Sequence, residues 1–449
     1  MQYYSTNDKK LRYSLKDALI KGLAPDRGLF MPLSIPKLSL EQLDRIRNMD
    51  LTDIAVEISN MLFGEDIPQN ELESLVREAV NFDTPLVKVE KGIYALELFH
   101  GPTLAFKDVG ARFLARMLAH FTRDLDQEIH VLVATSGDTG SAVANGFLGV
   151  PGIKVHVLYP SGLVSPLQEK QFTTLGQNIS AVEVQGTFDD CQRLVKEAFM
   201  DDDLNQKMLL TSANSINLAR FLPQAFYYFR AWAQLPHERK KSNIQKNESS
   251  FFFSVPSGNY GNMTAGLVAR EMGLPIRNFV SANNINDVVP GYLQSGKLEP
   301  RPSRATIANA MDVGDPSNFV RILDLFDQDH NRITEVIKGF SYSDEKIREI
   351  ITRVHSQTGY LCDPHGATGY QAAKDFQAAS NIQDDSKGEK TPTGIFLETA
   401  HPAKFLETVE EVIQDKIEIP ERLAAFSKRK KQSSIIDKGY AEFREYLAG

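Results

Sequence analysis

Between residues 129 and 235 the chain alternates short apolar runs with longer amphipathic stretches. IHVLVAT (129–135) leads into the small-residue stretch SAVANGFLG, and KVHVLYP (154–160) into SPLQEKQFTTLG. ISAVEVQG is followed by TFDDCQRLVKEAF, and MLLTSA by INLARFLPQAFYYFRAWAQL. Continuous apolar strands separated by helices predict a parallel sheet covered on both faces. A second series begins at FFFSV (251–255), continues through IRNFVSAN and ends in GIFLETA. Upstream, LEQLDRIRNM, DIAVEISNMLF and ELESLVREAV carry apolar positions at helical spacing, joined by turns such as GLAPDRGLFMP. This part therefore reads as a mainly helical lid or docking region. The fold class is α/β. The expected division is an N-terminal mainly helical region (1–95) and two parallel or mixed-sheet subdomains with helices on both faces (96–250 and 251–449). HERKKSNIQKNESS (237–250) is polar and patternless and reads as an exposed connector at the second boundary.

Composition narrows the partners. A chain of 449 residues is long enough for two or three subdomains. Its 50 basic and 58 acidic residues give a net charge of −8, which disfavours nucleic acid as a main partner. The charge-rich stretches NIQDDSKGEKTP (381–392) and SKRKKQSS (427–434) read as solvated surface. Cys191 and Cys362 are too few and too far apart for a disulfide framework or a zinc cluster, so no metal is expected and a reducing compartment is. The start MQYYSTNDKK lacks a secretory pattern, and no apolar run approaches the roughly 20 residues that cross a membrane. The expectation is a cytoplasmic protein with no membrane partner, monomeric or homodimeric.

One lysine stands against the local electrostatics. After FHGPTLAFKD (99–108), apolar residues recur at Val109, Phe113, Leu114, Met117, Leu118 and Phe121, the spacing of a helix on a core. Lys107 falls at or just before the helix start, where free N–H groups carry partial positive charge and disfavour an ammonium. Burial, the neighbouring Phe106 and the helix end should all lower its pKa, and a lysine kept poor in protons is a nucleophile.

Three strand-to-helix turns point towards anions. In open parallel sheets, ligands bind beyond the carboxyl ends of the strands, where helix N–H groups converge. FFFSVPSGNYGNMTAGLVARE places Ser257, Gly258, Asn259, Tyr260, Gly261 and Asn262 in such a turn, with two glycines that let the backbone wrap a phosphate. No Lys-Ser/Thr follows, so this is not a P-loop, and the dinucleotide fingerprint is incomplete. HVLVATSGDTGSAVA supplies Ser136, Gly137, Asp138 and Thr139, in which the acid needs a donor to meet. GIFLETAHPAKF ends a strand at Thr399, whose hydroxyl can donate or accept, and His401 beside it is either a general acid or base or a capping residue. A phosphate cradle, a lysine at an apolar wall and a hydroxyl at a strand end together suggest pyridoxal 5'-phosphate.

The segment FHGPTLAFKDVGARFLA resembles the cofactor-lysine segment of the threonine synthase family, which belongs to the tryptophan-synthase-like (fold type II) pyridoxal enzymes. So do ATSGDTGSAVA, YPSGLVSPLQEKQFTTLGQNISAVEVQGTFDDCQRLVKEAF, TSANSINLARFLPQ, PSGNYGN, NAMDVGDPSNFVR and LETAHPAKF, in the family order, and YYSTNDKK and GLAPDRGLFMP extend the likeness over almost the whole chain. The resemblance implies a tryptophan synthase β-like fold and conversion of O-phospho-L-homoserine and water to L-threonine and phosphate. It implies that Lys107 is the Schiff-base lysine and proton carrier, that Gly258, Asn259, Tyr260, Gly261 and Asn262 hold the cofactor phosphate, and that Thr399 meets the ring nitrogen. Asp138 stands where shorter members have Asn, in a turn near the ring and the substrate carboxylate, with Ser136 and Thr139 beside it. For the substrate phosphate the candidates are Ser317, Asn318 and Arg321 in DPSNFVR, Lys404 after HPA, and Lys154 or Lys170. Two other readings stay open: a serine/threonine dehydratase-type lyase, which needs no second phosphate site, and a non-catalytic paralogue that binds phosphorylated ligands.

Overall fold

The computed structural model describes residues 1–236, 251–384 and 391–449. The expected connector at 237–250 and part of the charged stretch at 381–392 lie outside the described residues. Strands β1 (Tyr3–Ser5) and β2 (Phe30–Pro32) form a small antiparallel pair. β3 (Leu86–Glu90) and β4 (Ile93–Glu97) form a hairpin. Then come β5 (Ile129–Ala134), β6 (Ile153–Pro160), β7 (Ile179–Gln185) and β8 (Leu209–Ser212), as the alternating pattern predicts. The second series is β9 (Phe251–Pro256), β10 (Phe279–Asn283), β11 (Ile337–Ser341) and β12 (Thr393–Glu398), and a last strand β13 (Ser434–Asp437) lies near the C-terminus.

These strands make two larger sheets whose membership crosses the boundaries read from the sequence. One has the order β13-β7-β6-β5-β8 and is parallel throughout, so residues 434–437 join the sheet of the 129–212 segment. The other has the order β11-β10-β9-β12-β4-β3, parallel except for the β3–β4 edge, so strands from the N-terminal region join the sheet of the 251–398 segment. The SKRKKQSS stretch is more than solvated surface. Lys431 within it pairs with Glu169 and with Glu183 at 2.7 Å and stands over the ring of Tyr159.

The helices of the N-terminal region start where side chains cap them: Ser14 for Leu15–Lys21, Ser39 in a capping box with Gln42 for Leu40–Ile46, and Asp50 for Leu51–Phe63. The apolar face of Leu51–Phe63 buries Ile54, Ile58, Leu62 and Phe63 in the main core. There Phe63 packs on Phe113 of the helix Lys107–Thr122, centroids 5.5 Å apart, and Phe113 packs on Phe226. The N-terminal region is thus built into the core rather than laid over it as a lid. Cys191 and Cys362 are free and buried. Among the described residues no helix is long and apolar enough to cross a membrane.

Candidate active site

The lysine segment is laid against the end of β12. Phe106 N–H donates to Thr399 O at 2.8 Å, His401 N–H to Leu104 O at 3.1 Å, and Ala105 and Ala400 form an isolated antiparallel bridge. Leu104 takes a left-handed backbone conformation, φ +59, to turn the chain from Gly101 into this pairing. The helix Lys107–Thr122 follows with no side-chain cap, and Asp108 N–H in its first turn donates to Ala105 O at 3.1 Å. Lys107 is half-buried, with Nζ 5.6 Å from the centroid of Phe106. Desolvation brings its pKa down to about 8; Arg220 and Lys404 push the same way, and Asp138 opposes them. Phe106 contributes apolar burial, but a ring face near an ammonium also attracts it, so desolvation rather than the ring explains the direction.

β9 and β12 are neighbours, and the turn after β9 faces the same end of the sheet. Ser257 N–H donates to Ala282 O, and the next backbone bond from this turn is Thr264 N–H to Tyr260 O. Between them Met263 N–H is accepted by Asn262 Oδ1. Among the described residues the N–H groups of Gly258, Asn259, Tyr260, Gly261 and Asn262 have no acceptor, and the helix Gly261–Glu271 begins without a side-chain cap. The turn is rigid. Tyr260 sits at φ +62 and is anchored by its hydroxyl to Ser281 Oγ (2.7 Å) and Asn283 Oδ1 (2.9 Å). Asn262 ties the turn to itself through Ser257 Oγ and Pro256 O. A side chain at Gly258 would place Cβ 2.5 Å from Ala310 O, a backbone atom that cannot simply rotate away.

The third turn carries a buried ion pair. Lys404 Nζ lies 2.6 Å from Asp138 Oδ1 and donates to Thr103 O at 2.9 Å, while Gln168 Nε2 donates to the same Asp138 oxygen at 2.8 Å. Burial alone would raise the Asp138 pKa; the charges of Lys404 and Lys107 outweigh it and bring it to about 2. The donor that Asp138 needs is therefore Lys404, which answers the sequence puzzle and removes Lys404 from the free cations. Gly137 (φ +141) and Gly140 both donate to Thr135 Oγ1, and Ser136 and Thr139 stand half-buried on the same turn.

Other sequence candidates fall elsewhere. Arg321 is fully buried, over Phe221 at 4.1 Å, and its guanidinium donates to Phe30 O, Ser215 O, Ile216 O and Asn318 Oδ1. It clamps the β2 end to the 215–216 turn and has no direction left towards a phosphate. Ser317 is exposed and holds Asn259 Oδ1 at 2.9 Å, while buried Asn318 donates to Ser215 Oγ at 3.0 Å; both brace the cradle from outside. Lys154 is exposed on β6, and Lys170 donates to Ser427 O. His401 accepts from Ala403 N–H at 3.1 Å and packs on Phe99, a capping and packing role. Thr399 is buried, directly after the last residue of β12.

Sequence reasoning missed Arg220. It is 3% exposed, donates to Ala213 O, and its Nε is buried with no partner. Burial lowers its pKa to about 10. A buried guanidinium with a donor unused, close enough to Lys107 to depress it, has the chemistry to meet an anion. The signal was available in TSANSINLARFLPQ, where an arginine lies within an otherwise apolar helix start.

Five consecutive unpartnered N–H groups suit a phosphate monoester, an amine held at about 8 suits an aldehyde, and a neutral hydroxyl suits an aromatic nitrogen. The donor set fits pyridoxal phosphate. The comparisons agree. The pyridoxal-phosphate dependent enzyme model matches residues 78–387, flanked by the threonine synthase N terminus (2–80) and the threonine synthase C-terminal model (366–447). The chain is 44% identical over 447 residues to the threonine synthase of Haemophilus influenzae, covering 100% of this chain and 99% of that one. The crystal structure of threonine synthase from Escherichia coli superposes with a TM-score of 0.90 at 41% identity, covering 100% and 99%. The structure of PLP-bound threonine synthase from Brucella melitensis does so with 0.88 at 33%, covering 100% and 98%.

Proposed function

The chain belongs to the threonine synthases, enzymes that depend on pyridoxal phosphate, and from that membership we propose that it converts O-phospho-L-homoserine and water into L-threonine and phosphate. The observation that carries the assignment of parts is the convergence of Lys107, the 258–262 cradle and the Thr399 turn on one end of β9 and β12. Pyridoxal phosphate, when bound, supplies the conjugated system that takes up negative charge from the substrate Cα. Lys107 would carry it covalently, the N–H groups from Gly258 to Asn262 would hold its phosphate, and Thr399 would offer its hydroxyl to the ring nitrogen.

The chain's own chemistry is proton handling and positioning. Lys107 Nζ takes the proton from the substrate Cα; a proton also leaves Cβ as phosphate departs from Cγ. Return of one proton to Cγ, addition of the hydroxyl of water at Cβ and return of a second proton to Cα complete threonine, the remaining proton of the water leaving with phosphate. One mobile amine serves neighbouring carbons because they lie within its reach. Asp138, neutralised by Lys404 and held by Gln168, keeps the Ser136–Thr139 turn in place so that its hydroxyls and N–H groups meet the substrate carboxylate. Arg220, with its unused Nε, takes the substrate phosphate in place of Arg321 and Lys404. A dehydratase has no need of that second anion site, so a buried guanidinium donor left open beside the lysine favours the phosphorylated substrate.

Two measurements test this. The purified protein with added cofactor should release one phosphate per threonine from O-phospho-L-homoserine; deamination of threonine without phosphate release would make it a dehydratase. Borohydride reduction of the holoprotein should leave a stable label on the peptide containing Lys107, and a label elsewhere or none removes the lysine assignment.

A further inference from the structure

We propose that Asp363 and His365 form a buried positioning dyad that fixes the Thr399 turn and the phosphate cradle relative to each other. Asp363 is fully buried and His365 is 2% exposed. Asp363 Oδ2 accepts from Ala400 N–H at 3.0 Å, the peptide that follows Thr399. Its other oxygen accepts from His365 Nδ1 at 3.1 Å and from the N–H groups of His365 and Gly366. On the far side of the ring, Nε2 accepts from Ala310 N–H at 3.1 Å. Ala310 O is the atom a side chain at Gly258 would strike. A chain of three hydrogen bonds therefore runs from the Ala400 peptide, next to Thr399, through Asp363 and the imidazole to the Ala310 peptide, whose carbonyl stands against Gly258.

Helix capping alone does not account for this arrangement. To cap the helix Pro364–Asp384, Asp363 needs only the oxygen that meets the N–H groups of His365 and Gly366. The bonds to Ala400 and, through the ring, to Ala310 both leave the helix; one goes to the Thr399 turn and the other to the 309–311 segment that packs against Gly258 of the phosphate cradle. Further support comes from Asp363 N–H, which donates to Glu398 Oε1 at 2.6 Å and so ties the dyad to the last residue of β12, and from the ring of Phe405, packed edge-on against His365 at 5.0 Å. The accepting role of Nε2 requires the neutral imidazole with its proton on Nδ1, facing Asp363. Neither residue touches the cofactor in this assignment; they act through Ala400 and Ala310.

The inference rests on the functional reading above, and the test separates the two. His365→Asn keeps a donor near Nδ1 but has no acceptor for Ala310 N–H; His365→Gln places an amide oxygen near Nε2 and restores that acceptor. Amide hydrogen exchange of the apoprotein should be about tenfold faster at Ala310 in His365→Asn, with pyridoxal phosphate bound about tenfold more weakly, the loss expected of one buried hydrogen bond. His365→Gln should return both to within about threefold. Equal damage in both variants, or wild-type cofactor affinity in His365→Asn, overturns the dyad. Should either variant fail to fold, nitrogen-15 spectra of the wild-type apoprotein still decide: His365 protonated on Nδ1 supports the proposal, and the Nε2–H tautomer or an imidazolium at neutral pH refutes it. A wild type that binds no pyridoxal phosphate would instead sink the functional reading.

Discussion

The depressed pKa of Lys107 makes a prediction in two independent observables. An ordinary lysine titrates at 10.5, and desolvation at this site brings Lys107 to about 8. The neutral fraction at pH 7 is then about one in ten instead of about three in ten thousand, a gain of roughly 300-fold in nucleophile. Capture of pyridoxal phosphate by the apoprotein, followed by visible absorbance, should speed up with pH through a midpoint near 8 and then level off. The same shift has a stability side. A lysine whose folded pKa is lowered destabilises the native state below about pH 8, because folding must desolvate an ammonium, and the cost is relieved as pH rises from about 8 to 10.5. The gap between about 8 and 10.5 corresponds to at most about 3.4 kcal/mol. Lys107→Met should therefore stabilise the apoprotein by up to that amount at pH 7 in urea denaturation, while abolishing covalent capture, and the gain should vanish above pH 10.5. A capture rate still climbing tenfold per pH unit at pH 9.5, or a Lys107→Met apoprotein less stable than wild type at pH 7, would refute the reasoning.

Three further outcomes follow from neighbouring geometry. Lys404→Met leaves Asp138 charged and buried without its partner and should lose about 3–5 kcal/mol; in a cycle with Asp138→Asn the double variant should lose clearly less than the sum, and strict additivity would rule out the pair as described. Arg321→Met should destabilise by about 3 kcal/mol or more by orphaning buried carbonyls while KM for O-phospho-L-homoserine stays put, whereas Arg220→Met should raise KM at least tenfold; steady-state kinetics with the reverse pattern would return the phosphate to Arg321. Gly258→Ala should weaken cofactor binding about tenfold or more in a spectral titration, since the new methyl meets the Ala310 carbonyl, and an unchanged Kd would show that the cradle can give.

Much of this was legible in the chain because it is local. Alternating apolar runs gave β5 to β8, β9, β10 and β12 close to their observed ends, and each anion-directed turn lies where a strand stops and a helix begins. What stayed hidden depends on distant residues meeting. Arg321 looks free in DPSNFVR, and only the arrival of Phe30 and of the 215–216 turn shows its donors engaged. Lys404 and Asp138 are 266 positions apart, so their cancellation has no sequence trace. β13 is four residues long with one buried side chain, too short and too exposed to signal a strand until β7 is beside it. His365 is a lone histidine at a helix start, and its bond to Ala310 arises from a loop 55 residues away.

The sheet order also sets a timetable for biosynthesis. β4, from which the lysine segment hangs, has β3 and β12 as its neighbours, and β12 spans Thr393–Glu398. Translation must pass residue 399 before Phe106 finds Thr399, and β7 waits still longer for its edge partner at residues 434–437. A nascent chain therefore carries an open strand edge that can pair with another chain, and it has no assembled place for a reactive aldehyde. A chain cut short before β12 would lack the Thr399 side of the site, so competence to bind the cofactor doubles as a check that translation has passed Thr399.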